Sequence, residues 1–203
     1  VFPQEEATKR EQRGQDRDPG PLWISSRNTW EPYMASVCGS IVETLSAYGI
    51  PAVAVDLLPE LVWLTSERYG FAARWSHRHA AFVAGLGTFG LSDGLITRKG
   101  KAMRCTTILA KAKLAPDPRP YETHPAWWSY HKDGSCGVCM DRCPIGALTP
   151  QGHDKIACKA YEDKLRETMI QDGRMLPPYM LCCGLCQAGV PCQDRAPEAT
   201  AEN

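Results

Sequence analysis

Apolar side chains recur at three- and four-residue spacing between residues 32 and 48: Met34, Val37, Ile41, Val42, Leu45 and Tyr48. That period predicts an amphipathic helix with Pro32 in its first turn, stopped by Gly49 and Pro51. Cys38 falls among these positions and reads as a small buried hydrophobe. Ala52-Val53-Ala54-Val55 follows as a short buried strand, which makes an α/β unit. Residues 59–69 predict a second helix ended by Gly70. Ser76 is a cap candidate for a third over 76–84, which places His77 and His79 in its first turn. With no partner identifiable, both histidines read as partly exposed. Leu95-Ile96-Thr97, a turn over 98–101 and the run 103–109 predict a β-hairpin, with Cys105 in the core of its second strand.

Other stretches lack a period. Residues 4–21 are charged and rich in turn formers, which predicts a solvated loop or mobile arm, with a lid over a pocket as the functional alternative. Pro116, Pro118 and Pro120 mark a stiff linker. His124, Trp127, Trp128, Tyr130 and His131 follow it and are expected to shield a cofactor from water. Residues 154–167 predict a helix, and the tail after Gln193 is polar and expected to fray.

The cysteines change the picture. Eight of the ten lie between Cys136 and Cys192: Cys136, Cys139, Cys143, Cys158, Cys182, Cys183, Cys186 and Cys192. Cys136-x2-Cys139-x3-Cys143-Pro144 reproduces the last three cysteines of the C-x2-C-x2-C-x3-C-P run of two-cluster ferredoxins, with Asp133 where the first would stand. Eight thiolates match two [4Fe–4S] clusters. A disulfide framework suits small secreted domains and is disfavoured. A zinc ribbon on Cys136/Cys139 and Cys183/Cys186 would leave Cys143, Cys158 and Cys192 unexplained.

The order of these motifs, with a lone Cys158 on a helix and then Cys183-x2-Cys186 and Cys192, resembles the double-cluster domain of the epoxyqueuosine reductase and reductive dehalogenase superfamily. The segment 84–97, Ala-Gly-Leu-Gly-Thr-Phe-Gly-Leu-Ser-Asp-Gly-Leu-Ile-Thr, is similar to the stretch that joins catalytic domain to clusters there, so the resemblance spans roughly residues 32–192. It implies an α+β protein. A reduced nitroreductase-like α/β domain over 1–115, with the mobile arm, would precede a ferredoxin-like cluster domain over 116–195 and a polar tail over 196–203. Its members reduce a substrate through cobalamin supplied with electrons by the clusters. The cross-over before Pro144 assigns Cys143 to a cluster with Cys158, Cys183 and Cys186. Cys136, Cys139 and Cys192 then share the other, whose fourth ligand is Cys182 or Asp133.

Gly85, Gly87 and Gly90 match G-x-G-x-x-G, but a helix precedes them and a strand follows, which is the wrong order for a dinucleotide fingerprint. They are expected instead to bring backbone close to a bound cofactor or to form a tight turn. Asp56 and Tyr69 are the candidate proton donors, as titratable groups ahead of the clusters; Asp56-Leu-Leu-Pro59 faintly resembles the Asp-x-x-Pro segment of epoxyqueuosine reductases.

Charge excludes little but steering: 23 basic and 23 acidic side chains leave a formal net charge of zero, so no field of one sign draws the molecule to nucleic acid or membrane. Cysteine usage points to a reducing compartment, most simply the cytoplasm. The chain begins at Val1 rather than methionine, so a removed leader or a fragment is expected. Two functions follow: an oxidoreductase acting on a small molecule and fed by a flavodoxin- or ferredoxin-type donor, or a non-enzymatic ferredoxin-type electron carrier without cobalamin.

Overall fold

The computed structural model describes residues 1–59, 63–67, 70–174 and 182–197. The chain is α+β, built from helices and small antiparallel sheets. In order come β1 (Phe2–Pro3), α1 (Glu6–Arg13), α2 (Pro21–Ala47), β2 (Ala52–Ala54), a 3-10 turn (Val55–Leu57), β3 (Trp63–Ser66), β4 (Gly70–Ala73), α3 (His77–Val83), β5 (Gly87–Phe89) and β6 (Leu95–Thr97). β7 (Met103–Arg104), β8 (Ile108–Ala110), α4 (Ser129–Asp133), α5 (Val138–Asp141), β9 (Leu148–Thr149), β10 (Gly152–His153) and α6 (Lys155–Gln171) complete it.

The periodic helix is present but longer than its apolar repeat. α2 starts at Pro21, whose missing N–H costs nothing in a first turn, and Pro32 lies inside it. Its apolar stripe buries Met34 and Cys38 against Ala54 of β2, with Ile108 of β8 packed alongside. β2 pairs with β8 in the register Ala52↔Ala110, Val53↔Leu109 and Ala54↔Ile108. α3 is capped as expected, with Ser76 Oγ accepting from His79 N–H, and α6 is capped by Asp154.

Four expectations are corrected. Residues 4–21 are not a mobile arm: α1 forms there and buries Thr8 and Gln12. No apolar period announces it because polar contacts hold it. In 59–69 the described residues form strand rather than helix: β3 pairs with β4, Trp63↔Ala73 to Ser66↔Gly70. An aromatic and β-branched run outweighed helical spacing. Leu95–Thr97 pairs not with the following run but backwards with β5, Gly87↔Thr97 to Phe89↔Leu95. Met103–Arg104 instead pairs with β1, and Cys105 lies outside both β7 and β8. Finally, the described part of the tail is anchored: Ala196 is fully buried with Ile96, Tyr121 and Trp127.

Tyr121 welds the glycine segment to the linker, donating to Phe82 O at 2.7 Å and accepting from Gly87 N–H at 3.1 Å. Among the described residues no helix is long and apolar enough to cross a membrane.

Candidate functional site

A cavity of about 1640 Å³ lies between α2, α3, β7 and the cysteine-bearing loops. Asp56, Trp75, His77, Phe82 and Phe89 line it, together with Cys143, Cys158, Cys182, Cys183 and Cys186.

The thiols are gathered by the termini of short elements. α5 holds Cys139, which is buried with Leu91, Leu148 and Val190; Cys143, Cys186 and Cys192 pack against that group. α6 carries Cys158 on its first turns. The 182–185 backbone is held by side chains from elsewhere. Trp23 Nε1 donates to Cys182 O at 3.0 Å, Gln12 Nε2 to Cys183 O at 2.9 Å and Arg142 Nε to Leu185 O at 2.9 Å. Glu162 accepts from Cys183 N–H at 3.0 Å. α1, featureless in sequence, is thus a strap over the cysteine loop.

No cysteine is in a disulfide. Burial pushes the Cys158 thiol up to about 12, with the charges of Glu162, Cys186, Cys143 and Cys182 adding to it. Burial likewise raises Cys182, Cys183, Cys139 and Cys192. The ammonium of Lys101, itself 2% exposed, favours the thiolates of Cys139 and Cys192. Among the described residues no group of three or more His, Cys, Asp or Glu side chains closes around one point as a single metal ion requires. A cubane binds each thiolate at a different iron, and it supplies the positive charge that crowded buried thiolates lack. Thiols are the donors an iron–sulfur cluster takes.

On the same cavity, Asp56 and His77 form a pair. His77 Nε2 is 2.8 Å from Asp56 Oδ1, and His77 Nδ1 is 2.9 Å from Thr107 Oγ1. Trp75 Nε1 donates to Thr107 Oγ1 at 3.3 Å. Thr107 accepts from Trp75, so its own hydrogen is free to donate to Nδ1, which leaves the neutral imidazole proton on Nε2, aimed at Asp56. Thr106 donates to the other oxygen of Asp56. Burial opposes ionisation of Asp56, but the hydrogen bonds from His77 and Thr106 and the charge of Arg27 outweigh it and hold the carboxyl below its usual range. Near neutral pH Asp56 is a carboxylate that accepts from His77.

Beside Cys182, Arg104 stacks over the Trp23 ring at 5.4 Å, and its Nε and Nη2 are buried without a hydrogen-bond partner among the described residues. Asp93 adopts φ of 53°, a left-handed conformation uncommon outside glycine. It accepts from His153 at 3.1 Å and pairs with Lys155 at 3.4 Å.

The structure separates the three glycines. Gly85 has φ of 78° and closes the α3-to-β5 turn. A Cβ on Gly87 would strike the Ile96 backbone across the β5–β6 pair. Gly90 alone of the three lines the cavity. Trp128 also lines it and packs toward Cys139, while Trp127 turns into the core. Tyr69 lies outside the described residues. His77, Thr107 and Trp75 escaped sequence reasoning because their partners stand 21 or more residues away with no shared period. Comparison with models of known families, with curated proteins and with solved structures finds no match.

Proposed function

We propose that this chain is an iron–sulfur oxidoreductase that holds two [4Fe–4S] clusters on its eight clustered cysteines and reduces a small molecule in the adjoining cavity. The observation that carries this reading is convergence: five of the eight thiols and the Asp56–His77 pair line the same cavity. Bound clusters supply single electrons. The residues of the chain do the rest. Asp56 and Thr107 hold the His77 ring in one orientation, which fixes its place on the cavity lining. Trp30, Phe82, Phe89 and Trp128 give the cavity flat apolar surface and keep water from it.

Epoxyqueuosine reductases and reductive dehalogenases, which the cysteine order and the 84–97 segment resemble, suggest a nitroreductase-like arrangement ahead of a ferredoxin-like domain, with cobalamin between. The cavity volume supports a large cofactor plus substrate, since ordinary small-molecule sites are about 300–1,000 Å³. A flavodoxin- or ferredoxin-type donor and a reducing, cytoplasmic setting belong to this reading.

The experiment is anaerobic reconstitution followed by titration with cobalamin, monitored by the corrinoid absorption bands. Tight stoichiometric uptake supports the enzyme, and reversible cluster reduction with no corrinoid uptake supports the carrier.

A further inference from the structure

Four of the five histidines line the cavity, and their ring nitrogens are not equally engaged. His77 has none to spare: Nε2 lies 2.8 Å from Asp56 Oδ1, and Nδ1 lies 2.9 Å from Thr107 Oγ1. His79 and His124 are exposed. The partner of His79 Nδ1 is a hydroxyl, Ser76 Oγ at 2.7 Å, and its ring tilts on Phe89 at 4.8 Å.

His153 differs from all three. Its Nδ1 lies 3.1 Å from Asp93 Oδ2, and no partner for its Nε2 occurs among the described residues. Burial opposes ionisation of Asp93, but the hydrogen bond from His153 and the charges of Lys155 and Arg78 hold the carboxyl below its usual range. A carboxylate only accepts, so the neutral His153 ring carries its proton on Nδ1 and leaves the Nε2 lone pair free. Uptake of a second proton gives an imidazolium with a donor at Nε2 and a carboxylate behind it, which is how a general-acid histidine is oriented.

The local structure fixes both partners. His153 pairs with Leu148 in the β9–β10 register, and the next residue, Asp154, caps α6. His153 therefore stands at the foot of the helix that carries Cys158 onto the same cavity. Asp93 is held in its left-handed conformation while its carbonyl accepts from Arg78 Nη1 at 2.6 Å, and Lys155 Nζ shares Oδ2 at 3.4 Å.

Resting on the reading of a reducing cavity, we infer that His153, oriented by Asp93, hands the proton to the ligand being reduced, and that His77 is a structural link. The flat apolar lining of Trp30, Phe82, Phe89 and Trp128 suits an aromatic ligand. For a nitroarene the step balances as follows. Two electrons arrive singly through the clusters from an external one-electron donor. Two protons, passed in turn through His153 Nε2 and replaced from solvent, join one nitro oxygen. That N–O bond breaks, and a nitroso compound and water leave.

The test uses the full chain, reconstituted without oxygen, in two arms. Diethyl pyrocarbonate acylates free, unprotonated imidazole nitrogens, and mass spectrometry maps the sites. The side chains of His153 and His77 are 16% and 19% exposed, so burial alone does not separate them. His153 is expected to react as the exposed His79 and His124 do, with His77 spared. A spared His153, or a His77 that reacts as fast, overturns the assignment. In the second arm nitrobenzene is the probe and reduced methyl viologen the electron donor, with the protein-free rate subtracted. His153→Ala is expected to slow product formation by about a hundredfold with iron content and melting temperature retained, and added imidazole to restore part of the rate. An unchanged rate, or a loss that imidazole does not relieve, overturns the assignment. A wild type that takes viologen electrons but leaves nitrobenzene untouched counts against the reducing cavity itself, while the acylation pattern still decides between His153 and His77.

Discussion

His77 and Asp56 meet across the cavity wall, Nε2 to Oδ1 at 2.8 Å, with Thr107 on the opposite ring nitrogen. The pair joins the first turn of α3 to the 3-10 turn after β2, so it fixes two elements as well as a proton.

Asp56 titrates below its usual range in the folded chain. A depressed folded value means the carboxylate's stabilisation is present above the unfolded value, about 3.9, and is lost as pH falls through the folded value. Asp56→Asn is therefore expected to melt below wild type at neutral pH and to converge on it in acid. Thermal melts of both proteins from about pH 6 to 3 check this. Parallel curves throughout would show that Asp56 contributes no such linkage.

Gln12 is fully buried and bridges the strap to the cysteine loop, accepting from Gly20 N–H and donating to Cys183 O, both at 2.9 Å. Gln12→Ala leaves both backbone groups unpaired, which costs about 1–3 kcal/mol. A urea midpoint lowered accordingly, with slower iron incorporation, is the expected result. An unchanged midpoint would mean that α1 is not a strap.

Gly184 has φ of 68°, and a Cβ there would collide with the Trp23 indole. Gly184→Ala is expected to cost more than about 1 kcal/mol, because alanine is strained at positive φ and Trp23 must also move. Calorimetry together with Trp fluorescence measures both effects.

Much of this was legible before the structure. The cysteine spacing singled out eight residues, five of which line the cavity, and Ser76, Asp154 and the α2 stripe announced their helices because caps and apolar periods are local signals. What escaped is non-local. α1 is held by Gln12, Lys9 and their distant partners rather than by an apolar face, so its composition resembled a loop. β5 and β6 pair across a glycine turn while β7 pairs with β1 about a hundred residues away, and no local pattern encodes that choice. His77 gave no sign of a partner because Asp56 and Thr107 reach it from separate segments.

Cys38 and Cys105 stand apart from the other eight in sequence, although Cys105 also lines the cavity, packed against Ala81, Leu95 and Met103. Cys38 is fully buried with Met34 and Ala54, and its sulfur contacts Thr106 Oγ1 at 3.7 Å. Burial raises the Cys105 thiol. Cys38→Ala and Cys105→Ala are each expected to leave iron content unchanged, with a modest stability loss of about 1 kcal/mol or less for these small side chains. Loss of iron in either variant would place that cysteine among the cluster ligands.

Iron and acid-labile sulfide counted on one anaerobically reconstituted preparation, with zinc measured alongside, test the central claim most directly. Two cubanes on the eight cysteines give about eight iron and eight sulfide per chain, with broad absorption near 400 nm. About four of each, or zinc in place of iron in a colourless protein, contradicts it.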